Sequence, residues 1–320
     1  MKRFLLATCF GALAALSLFL TRGDAQPNSV KQIVPGVWFR EGDLEHEGHC
    51  NNVIIEMKDY LIVVDANFPS GARLVLEDAK KVSTKPVKYV FDTHHHGDHM
   101  YGNGVWTKAG AITLAYEGVN EELKRYEPAR WQQAEKQRKD VAEMGTDAPE
   151  GPKQTFTKTP YVLSDSTRRV EFLFFGWAHT RGDGFVYLPK EKVLATGDAV
   201  ANGPHNSLPD GNIGNWPNVI SSAQKLDVQY VLPGHGPSGG KEMLANQKLF
   251  FVELRNRVAA AVNQGKKLED IVKMDGRRAV STTIEMPASV KTYVGPGLPS
   301  QVRTTYNEIV EKKPAGDLPH

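Results

Sequence analysis

The stretch FDTHHHGDHMYGN, residues 91–103, decides how the rest of the chain is read. Four histidines and two aspartates fall within residues 91–99, in a chain of 320 residues with only 10 histidines. The apolar run VKYVFD (87–92) reads as a buried strand that ends where the histidines begin. Side chains alternate along an extended chain, so His94 and His96 point one way and His95 the other. Two imidazoles on one side, about 6–7 Å apart along the chain, can share one metal ion. Gly97 lets the backbone turn, so Asp98 and His99 can address a second site nearby. By the same alternation His95 reads as structural or surface-exposed.

A lone His-rich loop has bland explanations, but three later segments keep this one company. GWAHTRGD (176–183) places His179 just after an apolar strand, VLATGDAV (193–200) ends a second in Gly197-Asp198, and YVLPGHGP (230–237) ends a third in Gly234-His235. Each brings a metal-binding type of side chain to the C-terminal end of an apolar run, beside a glycine. Repetition of that arrangement points to one shared centre.

Outward from these motifs, VWFR (37–40), NVIIEM (52–57) and YLIVVDA (60–66) read as successive strands, with Lys58-Asp59 suiting a hairpin turn. Residues 70–83 have helical periodicity and Ser70 as a candidate cap, and a strand follows at 111–117. Strands resume at 170–175, 184–188, 192–197 and 228–233, and amphipathic helices span about 240–264 and about 298–312. Strands then helices, twice over, predict an α/β fold of two similar halves, a four-layer αββα sandwich. The charged, helix-favouring residues 117–146, within an insertion over about 117–150, read either as a solvated helical hairpin or as a lid with Tyr126 and Trp131 facing a substrate.

The first residues stand apart. A basic start (Lys2, Arg3), an apolar run from Phe4 to Leu20 and Ala25 before Gln26 form the pattern of a signal peptide over 1–25, with an uncleaved anchor as the alternative. The expectation is a periplasmic or secreted domain over 26–320, with no stable membrane insertion once the signal is cleaved. Cys9 leaves with the signal, so Cys50 has no partner for an internal disulfide and reads as a small buried residue. A formal net charge of +2 gives no support for nucleic acid as a partner.

Over most of residues 30–240 the chain resembles the metallo-β-lactamase superfamily of binuclear metallohydrolases. Five motifs match in order: Asp65 at a strand end, the run His94, His96, Asp98, His99, then His179, Asp198 and His235. The resemblance implies one metal held by His94, His96 and His179, a second held by Asp98, His99 and His235, and Asp198 bridging both. Asp65 would orient a ligand rather than serve as one. Thr93 and Thr180 could do the same, or be plain turn residues. His46, His49, His205 and His320 match no motif and read as non-ligands.

An all-His/Asp donor set suits two Zn²⁺, with Mn²⁺ or Fe as substitutes. The implied activity is hydrolysis of a small-molecule substrate by a hydroxide bridging the two metals, with Asp98 managing protons. His235-Gly236-Pro237 departs from the His-Glu-Tyr of thioesterases of the glyoxalase II type, and Asp198 stands where the cysteine-containing lactamases have Cys. The expected bond is therefore an ester, lactone, thioester or amide, with β-lactam cleavage possible. The competing readings are an exported metal-binding or partner-docking protein of the same fold without turnover, and a di-iron redox protein.

Overall fold

The computed structural model describes residues 27–319, so the signal-peptide segment lies outside the described residues. Short apolar runs build two main sheets. The first has seven strands in chain order: β1 (Val30–Val34), β2 (Val37–Arg40), β3 (Asn52–Glu56), β4 (Leu61–Val64), β5 (Val87–Asp92), β6 (Ile112–Tyr116) and β7 (Gln154–Phe156). Pairing is antiparallel from β1 to β4 and parallel from β4 to β7. The β3–β4 link is the tight turn expected at Lys58-Asp59, with Glu56 opposite Leu61.

The second sheet contains β8 (Tyr161–Ser164), β9 (Arg169–Phe174), β10 (Gly184–Leu188), β11 (Val193–Ala195) and β12 (Tyr230–Leu232), antiparallel except for the β11–β12 pair. A separate hairpin joins β13 (Val272–Asp275) to β14 (Arg278–Thr282).

Parallel neighbours need crossover connections, which here are helical. Helix α1 (Pro69–Val82) links β4 to β5, the short α2 (Gly97–Met100) and α3 (Asn103–Lys108) link β5 to β6, and α4 (Glu117–Gln137) with α5 (Lys139–Ala142) links β6 to β7. Helix α6 (Trp216–Ala223) links β11 to β12, followed by α7 (Glu242–Asn263), α8 (Leu268–Ile271) and α9 (Leu298–Glu311).

The layering shows in what each face buries. Val53, Ile55, Phe91 and Leu114 of the first sheet meet Val170, Phe172, Val186 and Leu188 of the second, with the Phe91 and Phe172 rings 4.6 Å apart. The other face of the first sheet, through Ile54, Val63 and Val90, buries Ala72, Val75 and Ala79 of α1 and Trp106 of α3. The outer face of the second, through Phe185 and Leu194, buries Ile220, Phe251, Leu254 and Val302. Each such fully buried large side chain is worth roughly 1.5–3 kcal/mol. The result is the expected αββα sandwich.

Two features differ from expectation. Strands β1, β7 and β8 and the β13–β14 hairpin carry too short or too weak an apolar pattern to stand out, being edges or surface ribbons with few fully buried positions. Residues 117–137 form one 21-residue helix running through Pro128, not a hairpin. Its Trp131 is buried against Tyr101, ring centroids 4.8 Å apart, in a small cluster with Met100 and Val141. The helix is polar overall yet docked along this stripe.

Candidate metal centre

Strand β5 stops at Asp92, and residues 93–96 leave it without regular structure before α2 begins at Gly97. Strand alternation therefore no longer governs His95. Its ring is fully buried, with Nε2 3.3 Å from the Asp210 carboxylate, so the surface-exposed alternative is corrected and the structural one stands.

Two glycines let the later motifs reach the histidine loop. A Cβ on Gly234 would lie 2.1 Å from Asp198 Oδ1, and one on Gly197 would lie 2.4 Å from Thr93 Oγ1, with Gly197 also at φ +49. The turn carrying His179 is closed by Asp183, whose carboxylate accepts from the backbone N–H of Ala178, His179 and Thr180 and from the Thr180 hydroxyl. Burial pushes that carboxyl up to about 7 even so. Thr180 is thus a turn residue, whereas Thr93 Oγ1 lies 3.1 Å from His94 Nδ1.

All seven candidate donors converge. His94, His96 and His179 offer nitrogens that lie within 4.8 Å of one another, with His179 Nε2 only 2.9 Å from His96 Nδ1. Asp98, His99 and His235 form a second such group, in which His235 Nε2 is 3.0 Å from Asp98 and 3.4 Å from His99 Nε2. Asp198 lies between the groups, 3.3 Å from His235, 3.4 Å from His99 and 3.8 Å from His179.

Four of the five imidazoles are fixed from their outer nitrogen. Thr93 holds His94, the Asp210 carboxylate holds His96 at 2.7 Å, the Ser207 carbonyl accepts from His179 Nδ1 at 2.9 Å, and Asp65 holds His99 Nδ1 at 2.9 Å. This leaves the inner nitrogens aimed at one another, the arrangement that metal-binding histidines adopt. His94 Nε2 and Asp198 Oδ1 are buried without a hydrogen-bond partner. Such orphaned atoms cost about 1–3 kcal/mol each, and a cation between them removes the cost, so the residues present fit a metal ion.

Two other groupings lie within ligand distance but do not fit a cation. Cys50, Asp65 and His99 cluster, yet both Asp65 oxygens are engaged, by His99 and the Thr93 N–H, and burial pushes the Cys50 thiol up to about 12. His95, His96 and Asp210 cluster around a guanidinium instead: Arg130 Nη1 is 2.7 Å from Asp210 Oδ2 and 3.3 Å from His95 Nε2.

The two groups differ in electrostatics. Burial, with neighbouring imidazoles adding to it, holds His94 well below the usual range and lowers His179 to about 3, so these nitrogens keep their lone pairs. In the second group burial opposes protonation, but carboxylates win. Asp98 chiefly lifts His99, and Asp198 chiefly lifts His235, to about 9. The Asp98 and Asp198 carboxyls are held low although burial opposes it, because His99 and His235 face them. The carboxylate-rich group attracts cations, protons included.

Several residues at the site carry no motif. A cleft of about 330 Å³ opens beside His96, lined by Phe68, Tyr101, Ser207 and Asp210 and by Glu127, Arg130 and Ala134 of α4. Helix α4 does line the site, through Glu127 and Arg130 rather than through Trp131. Tyr126 stacks on His95 and donates to the Gly316 carbonyl. The spacing of Glu127 and Arg130, one helical turn apart, is the one signal that could have found them; Asp210 sits in an irregular loop and has none. Of the remaining histidines, His46 pairs with Asp43, His49 with Ser70, and the His205 ring is 6.4 Å from that of His235; none belongs to a potential metal group among the described residues. His320 lies outside the described residues.

The family follows from this fold and site. The chain belongs to the metallo-beta-lactamase superfamily, whose family model matches residues 47–235. It is 25% identical over 225 residues to a metallo-beta-lactamase type 2 of Bacillus sp. (strain 170), covering 68% of this chain and 79% of that one. A metallo-beta-lactamase type 2 of Bacillus cereus is 24% identical over the same length. Among solved structures, a metallo-beta-lactamase from Pontibacter korlensis superposes with a TM-score of 0.56 at 23% identity, covering 70% of this chain and 98% of that chain. One from Hirschia baltica gives 0.56 at 22% identity, covering 71% and 98%. These structures share the fold.

Proposed function

We propose that this chain is an exported binuclear metallohydrolase that cleaves an ester, lactone, thioester or amide bond of a small molecule, β-lactams included. One observation carries the reading: two donor groups, one of three imidazoles and one of two imidazoles and a carboxylate, share Asp198 between them at 3.3 Å to 3.8 Å from His235 and His179. In this reading His94, His96 and His179 hold one ion, Asp98, His99 and His235 hold the second, and Asp198 contributes to both. Two Zn²⁺ ions, with Mn²⁺ or Fe as substitutes, would supply the Lewis acidity that activates water near neutral pH and polarises the scissile carbonyl.

The protein's own residues do the rest. Asp65 orients His99, and Asp98 passes the proton of the attacking water towards the leaving group. Asp98 suits that role because its side chain is 22% exposed, against 9% for Asp198. Phe68 and Tyr101, which line the cleft, receive an organic group of the substrate.

The same reading takes residues 1–25 as a cleaved leader and 26–320 as the catalytic domain, released to the periplasm or outside. No helix among the described residues is long and apolar enough to cross a membrane.

The test combines metal analysis of the mature protein with a panel of a cephalosporin, a lactone, a thioester and an ester, beside Asp198→Ala. About two zinc ions per chain, with turnover lost in the variant, supports the reading, and the best substrate names the class. Metal uptake with no turnover of any panel member would favour a binding protein, and iron with reversible redox chemistry would favour an electron-transfer role.

A further inference from the structure

Two of the groups that fix the first three histidines lie close together in one loop: the Ser207 carbonyl behind His179 and the Asp210 carboxylate behind His96. Asp210 is buried and receives both ends of the Arg130 fork, Nη1 at 2.7 Å and Nη2 at 2.9 Å. The same Nη1 lies 3.1 Å from Glu127 and 3.3 Å from His95 Nε2. Glu127 also accepts the Tyr101 hydroxyl at 2.6 Å.

A carboxylate with one bond to each of two adjacent imidazoles could turn towards either, because its terminal torsion is soft. Here two parallel bonds from a planar guanidinium fix its plane, with Oδ2 2.7 Å from His96 Nε2 and the longer 3.3 Å left to His95. His96 is thereby held with Nδ1 turned towards His179 and His94. A lysine could supply the charge but not the fork.

We propose that Arg130, on a helix outside every ligand motif, is a positioning residue for the metal centre: through Asp210 it sets which nitrogen His96 presents and where it points. This rests on the metal-centre reading above. Arg130 also lines the cleft, so a substrate group that touches it touches the residue holding His96 in place.

The test is zinc titration against a competing chromophoric chelator, on the mature chain and on Arg130→Met, Arg130→Lys, Asp210→Asn and the Arg130→Met/Asp210→Asn double variant. Removing an outer partner of a ligand costs about 10–100-fold in metal affinity. Arg130→Met should weaken one of the two ions by about 10-fold or more and leave the other unchanged. Arg130→Lys should fall between wild type and Arg130→Met. The double variant should bind no more weakly than the weaker single, because both changes break one path.

A ¹⁵N-imidazole spectrum of the zinc-free protein adds a readout that general loss of stability would not produce, a change of His96 tautomer in Arg130→Met. If Arg130→Met does not fold, Arg130→Lys carries the test, and zinc affinity equal to wild type in that variant overturns the proposal. Wild-type affinity in Arg130→Met, or losses that multiply in the double variant, would overturn it too. Wild-type protein that takes up no zinc sinks the metal-centre reading and this proposal with it, a result distinct from two ions bound equally by wild type and variant.

Discussion

Asp65 ties His99 to the backbone of the histidine loop: Oδ2 lies 2.9 Å from His99 Nδ1, and Oδ1 accepts the Thr93 N–H at 2.8 Å. Asp65 sits at φ 66, a left-handed conformation that Asp and Asn tolerate better than other side chains. Asp65→Asn therefore keeps the backbone, but turns an amide N–H₂ or a weaker carbonyl towards His99. The imidazole then loses the charge that fixes its tautomer. We expect zinc at the Asp98–His99–His235 group to weaken by about 10–100-fold, with the three-histidine group unaffected. Stoichiometric titration reads this directly, and equal loss at both groups would contradict it.

Gly234, in the loop just past the end of β12, passes the Asp198 carboxylate so closely that an added Cβ would lie 2.1 Å from it, a separation real Cβ atoms essentially never show. Gly234→Ala must displace either the β12 loop carrying His235 or Asp198 itself. Overpacking of this kind costs about 1–3 kcal/mol, which the two-sheet core can absorb. Folded protein with sharply reduced binding of the second ion is the expected result. Circular dichroism and metal analysis on one sample separate that from unfolding, and normal metal content would count against the packing argument.

The fold was legible wherever burial writes itself into sequence. Strands β5 and β10 match the apolar runs residue for residue, because both are central strands with buried ends at the site. The candidate donor motifs were legible because clustered histidines and aspartates beside glycines near strand ends are chemically distinctive. Edge strands such as β7, three residues with one fully buried, carry no such pattern. Asp210 was invisible for another reason, and Arg130 offered only its one-turn spacing from Glu127. A carboxylate in a loop and an arginine on a polar helix look like solvated surface until the fold joins them across 80 residues. For His95 the structural reading stands, but whether its ring is buried or exposed was not legible, because the strand ends at Asp92.

Metal removal should cost stability as well as activity. The donors belong to segments from both halves of the sandwich, so an ion bound there binds the folded state alone. At free zinc about 1,000-fold above its dissociation constant, linkage contributes about 4 kcal/mol per site. For a domain of this size that corresponds to roughly 6–7 °C per site in thermal midpoint. A chelator should lower the midpoint by that order, and added zinc should restore it. Asp198→Ala should show a smaller response to the same chelator. No shift on chelation would mean that the centre is not occupied in the folded protein.

Glu127 offers a pH signature outside the ligand set. It lies in α4, buried, and burial pushes its carboxyl up to about 7, although Tyr101 and Arg130 both pull it down. Between its ordinary value near 4.5 and about 7, the folded protein keeps a proton that the unfolded chain releases. Stability must therefore fall as pH rises through that window and level off above it. At 1.36 kcal/mol per pH unit the penalty reaches about 3 kcal/mol. Glu127→Gln cannot ionise, yet its amide oxygen can still accept from Tyr101. The variant should match wild type in unfolding free energy near pH 4.5 and exceed it by up to about 3 kcal/mol at pH 8. Denaturant titrations at three pH values decide this: a difference that stays flat with pH would mean that Glu127 is ionised throughout, held by Arg130 strongly enough to outweigh its burial.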